Sequence, residues 1–213
     1  TSVGSEFFYP GADGLGRLQN RYGGTDRHDF RYLPDGKLKK FRVYTSLGIL
    51  SKTVDYYYDG LGRRIAKVVT EPGQDTTYLS YQHLGAQNKI LVGSLRKGAA
   101  IEETLYVDGE GIDDHLFEVS SDSGVKAYKK DHLGSVLNTV AIGGKSVFGP
   151  FGENLGTSVS ASSYSEPVTY GFTGREYDNE TGFYYFRARY YDPVSARFLT
   201  KDPLGPHQGG DIN

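Results

Sequence analysis

Cysteine, methionine and tryptophan do not occur in this sequence of 213 residues. The absence of cysteine excludes a disulfide framework and every cysteine-ligated metal site. No run of 18 apolar residues is present, so no hydrophobic helix is predicted to span a membrane. The first residues also lack the apolar core of a signal peptide. Because residue 1 is threonine, we expect the sequence to be a piece of a longer protein.

An excess of charge of either sign is also lacking. The chain has 24 Lys and Arg against 26 Asp and Glu, a formal net charge of -2. Nucleic-acid-binding proteins usually carry a basic face and a high pI, so no nucleic-acid partner is predicted. The five histidines are scattered without a His-x-x-x-His spacing, and no glycine-rich stretch continues into Gly-Lys-Ser or Gly-Lys-Thr. From these absences we predict no metal site and no cofactor.

Glycine and aromatic residues are abundant, with 29 Gly, 18 Tyr and 11 Phe. Tyrosine, phenylalanine and the β-branched residues favour strands, and glycine permits the backbone conformations of tight turns. No segment longer than about 12 residues combines helical spacing of apolar residues with usable helix caps. The composition therefore predicts an all-β fold made of many short antiparallel hairpins.

A recurring unit organises the first third of the chain. Each copy has an aromatic residue, a few turn residues, a glycine, a basic residue and then apolar residues. The copies occupy residues 9–18, 32–38 and 58–65. Their glycines, Gly16, Gly36 and Gly62, are separated by 20 and 26 residues. Asp-Gly and Leu-Gly pairs between alternating runs are typical of hairpin turns, and their repetition indicates a repeated strand-turn-strand unit.

The densest stretch of the chain is residues 170–205. It combines aromatic pairs, closely spaced arginines and the acids Asp178, Asp192 and Asp202, of which the last two precede proline. Acids before proline commonly form turns, whereas two carboxylates that share a site can act as an acid and a base. The interleaved tyrosines and arginines fit stacking within a core, or the binding of single strands or sugars. Each feature therefore has a structural and a functional interpretation.

Three segments of this stretch resemble the RHS repeat-associated core. They read Gly-Arg-Glu-Tyr-Asp at 174–178, Gly-Phe-Tyr-Tyr-Phe-Arg-Ala-Arg-Tyr-Tyr-Asp-Pro at 182–193 and Arg-Phe-Leu-Thr-Lys-Asp-Pro-Leu-Gly at 197–205. That core is the C-terminal signature of bacterial RHS and YD-repeat proteins and is shared with the C subunit of insecticidal Tc toxins. Residues 131–136, Asp-His-Leu-Gly-Ser-Val, resemble a second motif of the family, and the recurring unit resembles its YD repeat.

The resemblance implies a fold and a division of the chain. The implied fold is a strip of antiparallel β-hairpins that curls into a partial β-shell and ends in the core. Residues 1–127 would be the YD-repeat hairpins, and residues 128–213 would be the RHS repeat-associated core. The implied function is that of the C-terminal shell or plug portion of a bacterial polymorphic toxin, which encapsulates a C-terminal toxin segment.

An alternative implication of the resemblance is enzymatic. An aspartyl autoprotease would release the downstream toxin segment after residues 202–205, Asp-Pro-Leu-Gly. Its catalytic residues would come from Asp178, Asp192 and Asp202, with Arg175 or Arg189 orienting the site. The chain departs from the family at two positions: residue 177 is tyrosine where some toxin relatives have arginine, and residue 196 is alanine where glycine is usual.

A third interpretation is a cell-surface adhesion or carbohydrate-binding module, because YD repeats also occur on cell surfaces. The expected partners are the chain's own C-terminal toxin segment, another chain that pairs along an exposed strand edge, or a component of a secretion system. The expected location is secreted or at the bacterial cell surface.

Overall fold

The computed structural model describes residues 8–10, 17–23, 26–139, 146–155 and 167–203. Regular structure in these ranges is β-strand apart from one three-residue 3-10 helix, Phe172–Gly174. The prediction of an all-β fold is confirmed. Within the same ranges, no helix is long and apolar enough to cross a membrane. The predicted turn at Gly16 and the predicted cleavage point after Gly205 lie outside the described residues.

The strands form two antiparallel sheets, and each strand pairs with the strand that precedes it in its sheet. The twelve-stranded sheet consists of β1 (Phe8–Pro10), β2 (Leu18–Gly23), β3 (Asp26–Tyr32), β4 (Leu38–Tyr44), β5 (Leu50–Tyr58), β6 (Arg64–Thr70), β7 (Thr77–His83), β8 (Ile90–Lys97), β9 (Ala100–Asp108), β10 (His115–Ser120), β11 (Gly124–Lys130) and β12 (Val136–Thr139). The five-stranded sheet consists of β13 (Thr169–Tyr170), β14 (Glu176–Asp178), β15 (Phe183–Phe186), β16 (Arg189–Asp192) and β17 (Arg197–Phe198). The predicted strip of hairpins is confirmed by this order.

Six of the described turns share one hydrogen-bond pattern. In each, the first N–H donates to the fifth carbonyl, and the fourth N–H donates to the first carbonyl. The fourth residue is always a glycine with positive φ, as at Gly62 (77°), where a side chain would be strained. In two of these turns the first residue is an aspartate, Asp59 or Asp131, whose Oδ1 accepts the N–H groups of the third and fifth residues. The YD-repeat-like unit at 58–65 and the run at 131–136 therefore contain turns of the same type.

A longer period appears on the inner face of the strip, the face that meets the five-stranded sheet. A β-bulge at the start of four strands brings two residues, three positions apart, onto this face. The buried pairs are Leu38 and Phe41, Arg64 and Lys67, Ile90 and Gly93, and His115 and Glu118. Their first members are 26, 26 and 25 residues apart. One full period therefore spans two strands, because the pairs lie on every second strand from β4 to β10.

The five-stranded sheet packs against the inner face of the strip. The ring of Phe183 lies 5.8 Å from that of Phe30 on β3, and Tyr170 lies 5.6 Å from Tyr106 on β9 in an edge-to-face arrangement. Because the same small sheet touches strands as distant in order as β3 and β9, the strip curls around it. The core of the described molecule is the space between the two sheets.

Gly93 on β8 marks a point of close approach to the segment that leads into the five-stranded sheet. A Cβ at this position would lie 2.8 Å from Pro167 Cβ and 3.0 Å from Tyr106 Cε2. We expect Gly93→Ala to lower the free energy of unfolding by about 1–3 kcal/mol, because a methyl group there overpacks the interface. Chemical denaturation followed by circular dichroism measures the change.

Gly60→Ala is the matched control for this prediction. No atom lies within 4 Å of a Cβ at Gly60, so its substitution is expected to leave stability unchanged or slightly raised. Equal denaturation midpoints for the two variants would show that the contact between β8 and Pro167 does not constrain the fold.

Candidate functional site

Two basic side chains of the strip, Arg64 and Lys67, point into the space between the sheets. Ile65 is the extra residue of the β-bulge at the start of β6. Without this bulge, residues three positions apart would face opposite sides of the strand. Both cationic side chains are almost completely buried. Buried charges require partners, and the five-stranded sheet supplies them.

Asp178, at the end of β14, accepts hydrogen bonds from both cations. Arg64 Nη1 donates to its two carboxylate oxygens at 2.9 and 2.7 Å, and Lys67 Nζ donates to Oδ1 at 2.9 Å. The same guanidinium donates to the Tyr190 hydroxyl at 2.8 Å and pairs through Nη2 with Glu176. Asp178 has no solvent exposure. A charged contact therefore joins residues more than 100 positions apart in the sequence.

Glu180 completes this arrangement from the turn that follows β14. Lys67 Nζ lies 2.7 Å from Glu180 Oε1, and the Glu180 side chain is only 1% exposed. Lys67 thus bridges the carboxylates of Asp178 and Glu180. These residues form what we call the charge cluster: Arg64, Lys67, Glu176, Asp178 and Glu180.

Aromatic rings enclose the Arg64 guanidinium. Its central carbon lies 4.4 Å from the ring centre of Tyr185 and 5.4 Å from that of Tyr81. Such cation–π contacts are stronger where water is excluded. Burial raises the pKa of the Tyr81 hydroxyl to about 12, although Lys67 and Arg64 oppose the rise. The tyrosine hydroxyls at this site therefore stay protonated at neutral pH.

The two bridged carboxyls, Asp178 and Glu180, shift in opposite directions. Burial alone would raise the pKa of Asp178, but the charges of Arg64 and Lys67 outweigh burial and hold that pKa below its ordinary value. Burial raises the pKa of Glu180 above its ordinary value, and the charge of Asp178 adds to the effect against the opposing charge of Lys67. Opposite shifts in neighbouring carboxyls are the usual basis for assigning an acid and a base.

Asp192, predicted from the sequence as a catalytic acid, lies on β16 and is fully buried. Its Oδ1 accepts the N–H of Val194 at 3.0 Å, and its Oδ2 accepts the hydroxyl of Ser195 at 2.8 Å. These bonds close the turn around Pro193, as the structural interpretation of an acid before proline expects. A catalytic role for Asp192 stays a prediction.

Asp178 and Asp192 belong to the same cross-strand row of the small sheet. Asp178 pairs with Phe183 on the middle strand. The register between β15 and β16, extended by one residue, places Asp192 beside the same Phe183. One strand therefore lies between the two acids, which puts their backbones about 10 Å apart.

Arg175 and Asp202 have other partners. Arg175 pairs with Asp113 at 3.2 Å, and its guanidinium lies 4.9 Å from the ring of Phe186. Asp202 is 43% exposed and pairs with Arg189 at 2.7 Å, at the end of β16 opposite Asp192. The structure thus brings Asp178 and Asp192 into one row, and it places Arg175 and Asp202 in separate ion pairs. Their proposed catalytic roles stay predictions.

Three residues of the charge cluster were not predicted from the sequence: Arg64, Lys67 and Glu180. The signal for the two cations was the 26-residue period, because Arg64 and Lys67 occupy the positions of the apolar Leu38 and Phe41. A charged pair at two inward-facing positions of a repeat indicates a buried partner. Glu180 gave no such signal, since an acid in a turn is ordinary.

The described ranges contain no group of three or more His, Asp or Glu side chains placed to hold a metal ion. A second polar contact joins the sheets at His115, whose Nδ1 lies 2.6 Å from Asp108 Oδ1 and whose Nε2 donates to the Gly174 carbonyl at 2.8 Å. Its ring stacks on Tyr170 at 3.6 Å. Ion pairs, hydrogen bonds and rings thus fix the small sheet along much of the strip.

Comparison with known proteins gives relatives that match most of this chain. No protein-family model matches it. Teneurin-1 of Mus musculus is 32% identical over 172 residues, which is 74% of this chain and 6% of that protein. Toxin protein Tse5 of Pseudomonas aeruginosa is 24% identical over 205 residues, which is 92% of this chain and 15% of that protein.

A crystal structure of TcdB2-TccC3 shares the fold. It aligns with a TM-score of 0.68 and 20% sequence identity over 92% of this chain and 10% of that one. The chain therefore spans between 6% and 15% of the length of these three proteins. Because the structural alignment covers 92% of this chain, it includes residues of both the strip and the small sheet.

Proposed function

Because the chain is an RHS/YD-repeat protein related to the C subunit of the Tc toxins, we propose that it is part of a toxin container. The twelve-stranded strip would be a piece of the wall, and the five-stranded sheet would be the plug that turns inward from its end. The cargo would be a toxin segment that follows the core in the natural protein, and the container would be secreted or exposed at a bacterial cell surface.

The charge cluster is the observation that supports this proposal most. A plug must stay seated against the wall, and Arg64 and Lys67 of the strip hold Asp178 of the small sheet with no exposure of its carboxylate. Breaking such a contact exposes unpaired charges in a dry interface, which makes separation costly. The small sheet is thus tied to one place on the inner face.

The division at residues 127 and 128 is also a proposal. It falls inside β11 (Gly124–Lys130), so the proposed core begins within the strip and includes β12 as well as the five-stranded sheet. In this proposal the last hairpins of the wall and the plug form one unit. The turn at Asp131 lies inside the proposed core and has the same hydrogen-bond pattern as the turn at Asp59 in the YD-repeat hairpins.

Protease protection tests the container. In the natural full-length protein, a segment that follows residue 213 is expected to resist trypsin, whereas the same segment produced alone is digested. Digestion products are identified by mass spectrometry over a time course. Equal digestion rates for the enclosed and the isolated segment would contradict encapsulation.

Self-cleavage is a second candidate function, and the buried acids favour it. Asp178 is held ionised by two cations and lies beside a cavity of about 10 Å³, the size of one water molecule. A carboxylate in that position can accept a proton from an attacking water. The second acid would be Asp192 or Asp202, the two other acids that the resemblance implies.

Asp178→Asn in the natural full-length protein tests self-cleavage. Asparagine has nearly the same shape but cannot accept a proton, so the wild type is expected to appear as two fragments by intact mass spectrometry and the variant as one chain. Asp55→Asn, which alters a surface pair with Lys40, is the matched control and should be cut like the wild type. Circular dichroism confirms that each variant is folded. A cut Asp178→Asn protein would remove Asp178 from the reaction.

A further inference from the structure

The five-stranded sheet has a second face, which points away from the strip. Because successive residues of a strand lie on opposite faces, Phe183 of β15 packs in the core against the strip and Phe186 points the other way. Cross-strand pairs place Tyr191 beside Tyr184, and Phe198 beside Tyr191, on this second face. The second face of the small sheet is therefore rich in aromatic residues.

The turn that contains Phe151 and Gly152 covers part of the second face. The Tyr184 hydroxyl donates to the Gly152 carbonyl at 3.1 Å, and the Tyr191 hydroxyl donates to the Phe151 carbonyl at 3.0 Å. Tyr184 is accordingly buried, whereas the residues Phe151 and Phe198 are exposed. The rest of the second face thus stays open beside this turn.

The open part is a compact group of rings, which we call the aromatic patch: Phe151, Phe186, Tyr191 and Phe198. The last three rings meet edge to face in every pairing, with centres 5.7, 5.5 and 5.3 Å apart. The Arg189 guanidinium lies 3.8 Å from the ring centre of Phe198. Adjoining exposed apolar side chains of this kind mark a binding surface.

The position of the patch indicates what it binds. One face of the small sheet packs against the inner face of the strip, so in the proposed container the second face points to the enclosed interior. The chain also leaves the described part of the small sheet beside the patch, because Asp202 pairs at 2.7 Å with the Arg189 guanidinium that lies over Phe198. The polypeptide enclosed with the patch is therefore the cargo.

We propose that the aromatic patch is the docking site for an extended, apolar segment of the cargo polypeptide. This inference rests on the proposed container. Apolar side chains of the segment lie on the rings, since aromatic residues are the commonest anchors of a bound partner. Among the described strands β17 is the edge of the small sheet, and the backbone of an extended segment pairs with such an edge.

Photo-crosslinking in the natural full-length protein tests the proposal. The photoreactive residue p-benzoylphenylalanine replaces Phe151 in one variant, Phe198 in a second and Ile101 in a control. Ile101 is also exposed, but it lies on the opposite side of β9 from the inward-facing Tyr106. Crosslinked peptides are identified by mass spectrometry. We expect both patch positions to crosslink to cargo peptides and the control position to give no cargo crosslink.

Other occupants of the patch give different products. Crosslinks that join two copies of the protein would assign the patch to self-association and overturn the proposal. Crosslinks confined to the shell of the same molecule would overturn it as well. Cargo crosslinks of equal yield from Ile101 and the patch would show contact without a defined site, which is also contrary to the proposal.

A substitution measures how strongly the patch holds the cargo. Phe151→Ser removes an exposed ring, and Ile101→Ser is the matched control on the outer face. Hydrogen exchange in the crosslinked cargo segment is expected to be at least about tenfold faster in Phe151→Ser, because an anchoring ring is lost. Ile101→Ser should match the wild type. Circular dichroism checks that each variant is folded, and equal exchange in all three proteins would overturn the proposal.

The failures of the two proposals are distinguishable. A cargo segment that trypsin digests as fast inside the full-length protein as alone overturns the container, and the docking site falls with it. A protected cargo segment that crosslinks to neither Phe151 nor Phe198 position overturns the docking site alone. The container would then enclose its cargo without holding it at this patch.

Discussion

Asp178→Ala is expected to lower the free energy of unfolding by about 3–5 kcal/mol, because removal of one partner leaves buried charges uncompensated. The carboxylate has no exposure and accepts bonds from both Arg64 and Lys67. Without it, the Lys67 ammonium and the Arg64 guanidinium in a buried interface retain two counter-charges within the charge cluster, Glu180 and Glu176. Chemical denaturation of the wild type and the variant at pH 7 measures the difference.

Asp202→Ala is the control for this loss. Its ion pair with Arg189 is exposed, so the expected change in the free energy of unfolding is at most about 1 kcal/mol.

The loss of stability in Asp178→Ala is also expected to depend on pH. Because its pKa is lowered in the folded state, the stabilisation is present above the unfolded-state pKa of about 3.9 and is lost as pH falls below it. If the free energies of unfolding of the wild type and Asp178→Ala differ by the same amount at pH 7 and at pH 3, the stabilisation does not come from the ionised carboxylate.

Phe183→Ala is expected to destabilise the protein by about 3–5 kcal/mol. Phe183 is fully buried between Asp178 and Asp192 in the cross-strand row, and its ring packs 5.8 Å from that of Phe30 on the strip. Truncation removes the contact between the sheets and leaves a cavity that a curved sheet cannot close without moving its strands. Thermal and chemical unfolding of the purified variant measure the effect.

Phe151→Ala provides the comparison within the same chain. Phe151 is 56% exposed, and its backbone carbonyl, which accepts the Tyr191 hydroxyl, is kept in the variant. Its loss is expected to change the free energy of unfolding by less than about 1 kcal/mol. A similar loss for both phenylalanines would mean that the small sheet is not anchored through Phe183.

Local features of the fold were predictable from the sequence because they arise from short-range chemistry. Glycine at the fourth position of a turn is required by its positive φ, and Asp59 and Asp131 stabilise their own turns within five residues. Strong strand formers between such turns lead to hairpins in chain order. The all-β strip follows from these effects without any knowledge of distant contacts.

The candidate site depends on contacts that short-range patterns do not encode. Arg64 and Asp178 are 114 positions apart, and their meeting requires the strip to curl until β6 faces β14. Arg64 and Lys67 also share a face only because Ile65 forms a bulge, which a simple alternation of strand residues does not predict. Glu180 became notable only through its burial beside Lys67. The structural interpretation of an acid before proline correctly placed Asp192 in a turn.

A cryo-EM structure of the natural full-length protein tests the central claim, that the strip is a container wall and the small sheet a plug seated on its inner face. We predict that further hairpins continue the sheet beyond β1, and that residues 169–202 face an enclosed interior. We also predict that Asp178 remains paired with Arg64 and Lys67. A small sheet on the outer surface of the particle, or detached from β6, would contradict the account.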